Sequence, residues 1–214
     1  MTSMRELLPA ILAKDEQTFR ERVKLMEGVM PVVHLDVMDG EFVPNKTWFD
    51  AAVLASLKTP VRFELHLMVA DPKRYIEEVR GIASVIRAIW HIESDADHRK
   101  IIIACRSMPK QAGLAINPRT PINGLAPYAD RLDEVLVMGA DPGFSGKPLK
   151  PHTIDRCRDI HERWPKMPIG FDIGVKEESI PDLKAVGVTR FCAASAIFSA
   201  KDPAAEAKRL QGLV

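Results

Sequence analysis

No sign of charge dominates this chain. Lys and Arg total 30 against 29 Asp and Glu in 214 residues, a net charge of +1. That balance gives no electrostatic footing for a nucleic acid or an anionic membrane, although it permits a local basic pocket for a small anion. Cysteine is scarce: Cys105, Cys157 and Cys192 are scattered, odd in number and without a Cys-x-x-Cys pair. A disulfide framework is excluded on that count, and a reducing compartment is expected. No apolar run reaches the ~20 residues that span a bilayer, and residues 1–6 carry no basic-then-apolar signal. Together these absences predict a cytoplasmic protein with neither a membrane nor a nucleic-acid partner. No Gly-x-Gly-x-x-Gly turn follows the first apolar run, which weakens an open dinucleotide-binding sheet. No linker or low-complexity tract interrupts residues 1–214, so one domain is expected.

What is present is alternation. Short β-type runs are expected at 7–12, 32–38, 61–69, 84–92, 112–116, 134–138, 168–172 and 190–194. Helical spacing, with glycine or proline punctuation, is expected at 15–28, 49–57, 72–80, 95–107, 122–128, 153–163, 179–186 and 203–210. About eight β-then-α units predict the α/β class and a closed (β/α)8 TIM barrel. The run 61–69 supports closure. Phe63, Leu65, Leu67 and Val69 form an apolar face for the helices, while Arg62, Glu64, His66 and Met68 form a mixed face for the interior. Val33, Leu35 and Val37 against His34, Asp36 and Met38 repeat the arrangement.

Four metal-capable residues fall late in predicted strands: His34 and Asp36 in Val-Val-His-Leu-Asp-Val-Met-Asp-Gly, His66 in Phe-Glu-Leu-His-Leu-Met, and Asp172 in Ile-Gly-Phe-Asp-Ile-Gly. A spacing of two on a strand points His34 and Asp36 to one face. Functional side chains of such barrels sit at the C-terminal strand ends. One late-strand histidine is more often structural than ligating. Four such groups at one barrel mouth are better explained by a divalent metal. Two carboxylates beside a metal can also polarise a carbonyl and move the proton next to it.

Further motifs are weaker singly. Asp141-Pro-Gly143-Phe144-Ser145-Gly146-Lys147 is a glycine-rich loop whose N–H groups can approach an anion, or an ordinary turn. The loops at Gly174-Val175 and Ala194-Ser195-Ala196-Ile197-Phe198 follow the last two strands, where barrels often hold a phosphate at a short helix. Met38, Met68 and Met138 each end a strand on the inward face, as core filler or as a non-titrating wall beside a reactive intermediate. His91 reads as a polar wall residue, His98, His152 and His161 as solvent-facing, and the charged stretch 91–100 as a solvated loop and helix start. No lysine ends a strand, which argues against a Schiff-base aldolase.

The run from His34 through Asp36, Met38, Asp39, Gly40, Phe42 and Pro44 to Asn45 resembles the signature of the ribulose-phosphate 3-epimerases. So do His66-Leu-Met68, Asn117-Pro118-Arg119-Thr120, Val137-Met138, Pro142-Gly143-Phe144-Ser145-Gly146 and Ser195-Ala196-Ile197-Phe198, in order along nearly the whole chain. The resemblance implies one divalent metal, zinc or iron(II) with manganese or cobalt as substitutes, on His34, Asp36, His66 and Asp172. It implies Asp36 and Asp172 as the acid/base pair. Met38, Met68 and Met138 would flank the intermediate, and Gly143, Phe144, Ser145, Gly146, Gly174, Ala194 and Ser195 would hold the phosphate. The implied reaction is C3 epimerisation of D-ribulose 5-phosphate to D-xylulose 5-phosphate by a homo-oligomer of two or more chains.

Departures lie on the substrate side. Ala10 stands where the family has serine, Ile173 and Ala194 where it has glycine, and Lys147 where it has glutamine. All four metal positions match. Another phosphoketose such as allulose 6-phosphate, or a barrel that binds a sugar phosphate without turnover, are the alternatives these departures raise.

Overall fold

A computed structural model describes residues 5–144 and 146–214. Strands β1 (Glu6–Ile11), β2 (Val32–Met38), β3 (Arg62–Met68), β4 (Val85–His91), β5 (Gln111–Ile116), β6 (Glu134–Met138), β7 (Ile169–Asp172) and β8 (Arg190–Ala193) are parallel and close into a barrel in chain order. The alternation expected from sequence sets the two layers. Phe63, Leu65 and Leu67 join Val33, Leu35, Val37 and Trp90 in the core between strands and helices. Their neighbours point inward, and the β2–β3 register pairs His34 with Glu64, Asp36 with His66 and Met38 with Met68. Two adjacent strands thus stack a His34–Glu64 layer, an Asp36–His66 layer and a methionine layer side by side.

The helices are α1 (Glu16–Met26), α2 (Ala51–Ser56), α3 (Pro72–Glu78), α4 (His98–Ser107), α5 (Thr153–Arg163), α6 (Ile180–Ala185), α7 (Ser195–Phe198) and α8 (Pro203–Gln211). Aspartates start several of them: Asp15, Asp50, Asp71, Asp97 and Asp202 each accept a backbone N–H of the first turn. Such caps satisfy donors the helix itself leaves free, each worth about 1 kcal/mol. α1 buries Phe19, Val23 and Met26, one stripe at helical spacing. The helix expected at 122–128 is instead a 3-10 turn at Ile122–Leu125, followed by a second just beyond it at Ala129–Arg131. Pro121 precedes the first turn and Gly124 interrupts it, so the segment is too short and poorly favoured to nucleate an α-helix. No helix among the described residues is long and apolar enough to cross a membrane.

The N-terminal side of the barrel interior holds a buried ionic layer. Arg87 contacts Glu6 at 3.0 Å and Glu64 at 2.5 Å, while Arg190 contacts Glu134 at 2.5 Å and Glu6 at 3.4 Å. Three carboxylates share two guanidiniums, so one carboxylate is in excess. Glu134, fully buried, carries that excess: burial first, and the charge of Glu64 second, push it up to about 7 from 4.5. The folded chain therefore binds an extra proton between those values. Stability from this group is full below about 4.5, falls as pH rises and is gone above about 7. Glu134→Gln should remove that slope. In urea unfolding its advantage over wild type should be smallest near pH 5 and reach on the order of 2 kcal/mol at pH 8. Parallel stability–pH curves would contradict this charge count.

Candidate metal centre and substrate pocket

The four late-strand residues meet. His66 Nδ1 lies 2.9 Å from Asp36 Oδ1 and 3.8 Å from Asp172 Oδ2, and His34 Nε2 lies 3.3 Å from the same Asp36 oxygen. One ligand atom from each of the four falls within 4.8 Å of all the others. All four side chains are buried. The strand end that carries Asp36 is clamped by Thr47, whose hydroxyl donates to the Asp36 carbonyl and accepts from the Met38 N–H, both at 2.8 Å.

The donor set fits a cation. Glu64 sits 2.6 Å from His34 Nδ1. Burial alone would raise its carboxyl, but His34 and Arg87 override that and hold it at about 2. An ionised Glu64 requires hydrogen on Nδ1, so the Nε2 lone pair of neutral His34 faces the Asp36 carboxylate. That nitrogen is buried and has no hydrogen-bond partner. A lone pair aimed at a carboxylate is repulsive unless a cation lies between them. A proton serves in that place when no metal does. Burial opposes a charged His34, yet Cys192, Asp36 and Glu64 outweigh it and raise the imidazole well above its ordinary value. Histidine and carboxylate donors suit zinc and iron(II) alike, and manganese or cobalt as well.

The two carboxylates of the cluster differ. Burial would raise both. For Asp36 the neighbouring imidazoles of His34 and His66 reverse the effect and leave it well below the usual carboxylate range. For Asp172 burial is reinforced by the Asp36 charge and carries it up to about 6. One group favours holding a proton and the other favours losing one, a division that suits acid/base work.

A pocket of about 580 Å3 opens above them. Asp36 and Asp172 reach its floor, and Met38, Met68 and Met138 form an apolar wall. Gly143, Phe144 and Gly146 line one side, and Gly174, Ala194 and Ser195 the other. Ser145 lies outside the described residues. Asn45 donates to the Gly143 carbonyl at 2.7 Å and ties this loop to the end of β2. Lys147 also lines the pocket, with its ammonium 5.1 Å from the Phe144 ring and a hydrogen bond of 3.0 Å to the Asp141 carbonyl. Ile173 lines it with φ of 69°, a left-handed conformation that is costly for a β-branched residue. Ala10 is wholly buried, paired in register with His34.

Several residues escaped the sequence reading. Glu64 was legible as inward-facing, but not as the partner of His34. Lys176 and Ser199 also line the pocket. His98, expected in solvent, is buried: it accepts from the Trp90 indole at 3.0 Å and meets the Ile92 carbonyl at 3.0 Å. A buried indole N–H needs an acceptor, and that need draws His98 inward. The stretch 91–100 is correspondingly less solvated than expected, with His91, Ser94 and His98 all buried.

The sequence profile described as "Ribulose-phosphate 3 epimerase family" matches residues 6–198. The chain belongs to that family. It is on that footing an enzyme of the isomerase class. A relative in the ribulose-phosphate 3 epimerase family, named ribulose-phosphate 3-epimerase, from Escherichia coli K12, is 34% identical over 207 residues, covering 92% of this chain and 90% of the relative. One of the same name from Schizosaccharomyces pombe is 28% identical over 203 residues, covering 92% and 89%. A rice protein named as the cytoplasmic isoform is 31% identical over 177 residues, covering 80% and 77%. Among solved structures, 3-hexulose-6-phosphate synthase from Salmonella typhimurium superposes with a TM-score of 0.71 at 17% identity, covering 98% of both chains. That likeness is one of fold alone.

Proposed function

We propose that this protein inverts C3 of a phosphorylated 2-ketose, D-ribulose 5-phosphate to D-xylulose 5-phosphate, with Asp36 and Asp172 as its acid/base pair. The proposal is carried by one observation: two buried carboxylates, Asp36 and Asp172, stand on the floor of one pocket within the same histidine cluster. Family membership and the names of the relatives support it. A divalent metal, zinc or iron(II) first, held by His34, Asp36, His66 and Asp172, would polarise the ketone and offset the negative charge that develops when C3 loses its proton. In one direction Asp36 takes the C3 proton from one face and Asp172 delivers its own to the other; in the reverse direction the roles exchange. Met38, Met68 and Met138 offer no exchangeable proton and keep water from the carbanionic carbon. The phosphate is assigned to Gly143, Phe144, Ser145, Gly146, Gly174, Ala194 and Ser195. Binding it there would hold the reacting carbons in place from a distance. The cytoplasm is the assigned compartment, supported by three buried free cysteines and the name of the rice relative. A homo-oligomer of two or more chains is assigned on the resemblance alone.

Ile173 and Ala194 line the pocket where the resemblance leads one to expect glycines, which makes a different sugar chain the second reading. A panel of ketoses separates the cases. Ribulose 5-phosphate should give the highest kcat/KM, with unphosphorylated ribulose lower by about 10^3-fold or more. Faster turnover of allulose 6-phosphate would change the substrate and keep the chemistry. Binding across the panel without epimerisation would leave a passive sugar-phosphate barrel.

A further inference from the structure

His66 carries a second contact, on the ring nitrogen away from Asp36, that the metal reading leaves unused. Its Nε2 lies 3.0 Å from Nε2 of His91, the last residue of β4. His91 Nδ1 lies 3.1 Å from Glu93 Oε2, and the other oxygen of Glu93 accepts the Asn117 N–H at 2.8 Å, just beyond β5. Both imidazoles are wholly buried. The Phe42 ring covers His91 at 4.9 Å, and the Ser94 hydroxyl donates to the His91 carbonyl at 2.8 Å.

Two ring nitrogens at hydrogen-bond distance must share one hydrogen, and the chain of contacts decides which nitrogen bears it. Glu93 is an acceptor at both oxygens, so His91 Nδ1 carries hydrogen. A neutral His91 then offers a lone pair at Nε2, and His66 must donate from its Nε2. That leaves the His66 Nδ1 lone pair pointing at Asp36 and Asp172.

We propose that His91 and Glu93 are positioning residues that fix the tautomer of His66 and aim its Nδ1 at the cation site. This rests on the metal reading above, but the tautomer can be measured apart from activity. Metal-ligating histidines are commonly held by a carboxylate on the second ring nitrogen. Here an imidazole is interposed, so the polarity of a two-ring relay sets the ligand.

Glu93→Gln is the sharp test. The Asn117 N–H keeps the amide oxygen on its side, so the NH2 group faces His91 Nδ1 and reverses the relay. His66 would then carry hydrogen at Nδ1, toward the carboxylates. Two-bond 15N–1H couplings of 15N-histidine protein report each ring's tautomer, and titration with zinc alone reports affinity. In wild type, His66 should carry hydrogen at Nε2 and His91 at Nδ1. In Glu93→Gln both should reverse, and zinc should bind about 10–100-fold more weakly. His91→Gln can accept through its oxygen and donate through its NH2, so it should keep the His66 tautomer and bind zinc within about 3-fold of wild type. Wild-type His91 with hydrogen on Nε2 would overturn the proposal. So would a Glu93→Gln variant with unchanged tautomers and zinc affinity, folded by circular dichroism. A wild-type protein that binds no zinc would defeat the metal reading instead, and the tautomer of His91, which faces Glu93 and not the metal carboxylates, would still decide the relay.

Discussion

Asp172→Asn should lower kcat by about 10^3-fold or more while the barrel stays folded, and Asp36→Asn should do the same. Asparagine keeps the shape and a ligating oxygen, so the loss falls on proton transfer. The pair also makes a finer demand. If each carboxylate serves one face of C3, each variant loses exchange with one epimer only. Asp172→Asn should still wash deuterium into C3 of the epimer whose proton Asp36 removes, and Asp36→Asn into the other. Equal residual exchange of both epimers in either variant would contradict the two-base assignment. Near-wild-type turnover in either would remove that residue from the chemistry.

How these residues come together was only partly legible in the chain. The period-two pattern of 61–69 assigned Phe63, Leu65 and Leu67 to the outer core and Glu64, His66 and Met68 to the interior, because a pleated strand leaves no other choice. It carried no information on register between strands. Glu64 meets His34 and His91 meets His66 only because β2, β3 and β4 align as they do in the closed barrel. Glu93 and Asn117 are 24 residues apart and meet because β4 and β5 pair beside each other. His98 was misread because a histidine at a helix start after a charged run has no local sign of the indole waiting behind it. The 3-10 turn at Ile122–Leu125 stands where a helix over 122–128 is expected because repeating βα units invite one there. Ile173 was noticed as a departure, but its positive φ of 69° belongs to the tertiary structure.

Stripping divalent metal should abolish turnover and loosen the barrel at once. Without the metal, a single proton on His34 is left to offset the buried carboxylates of Asp36 and Asp172. A metal bound at about a thousand times its Kd contributes about 4 kcal/mol to folded stability. For a chain of this size that is roughly 8–15 °C in Tm. Chelator-treated protein should therefore melt lower by about that amount and show activity reduced by about 10^3-fold or more. One equivalent of zinc, iron(II), manganese or cobalt should restore both, with differing rates. Full turnover by protein shown to be metal-free by elemental analysis would take the metal out of the account.

The most direct measurement follows C3 by proton NMR in deuterated buffer, with metal-loaded protein and ribulose 5-phosphate. Loss of the C3 proton signal, deuterium at C3 and the appearance of xylulose 5-phosphate are the predicted result. They would establish proton abstraction, inversion and substrate in one experiment. Folded, metal-loaded protein that leaves the C3 proton in place over hours would contradict the proposed reaction on this substrate.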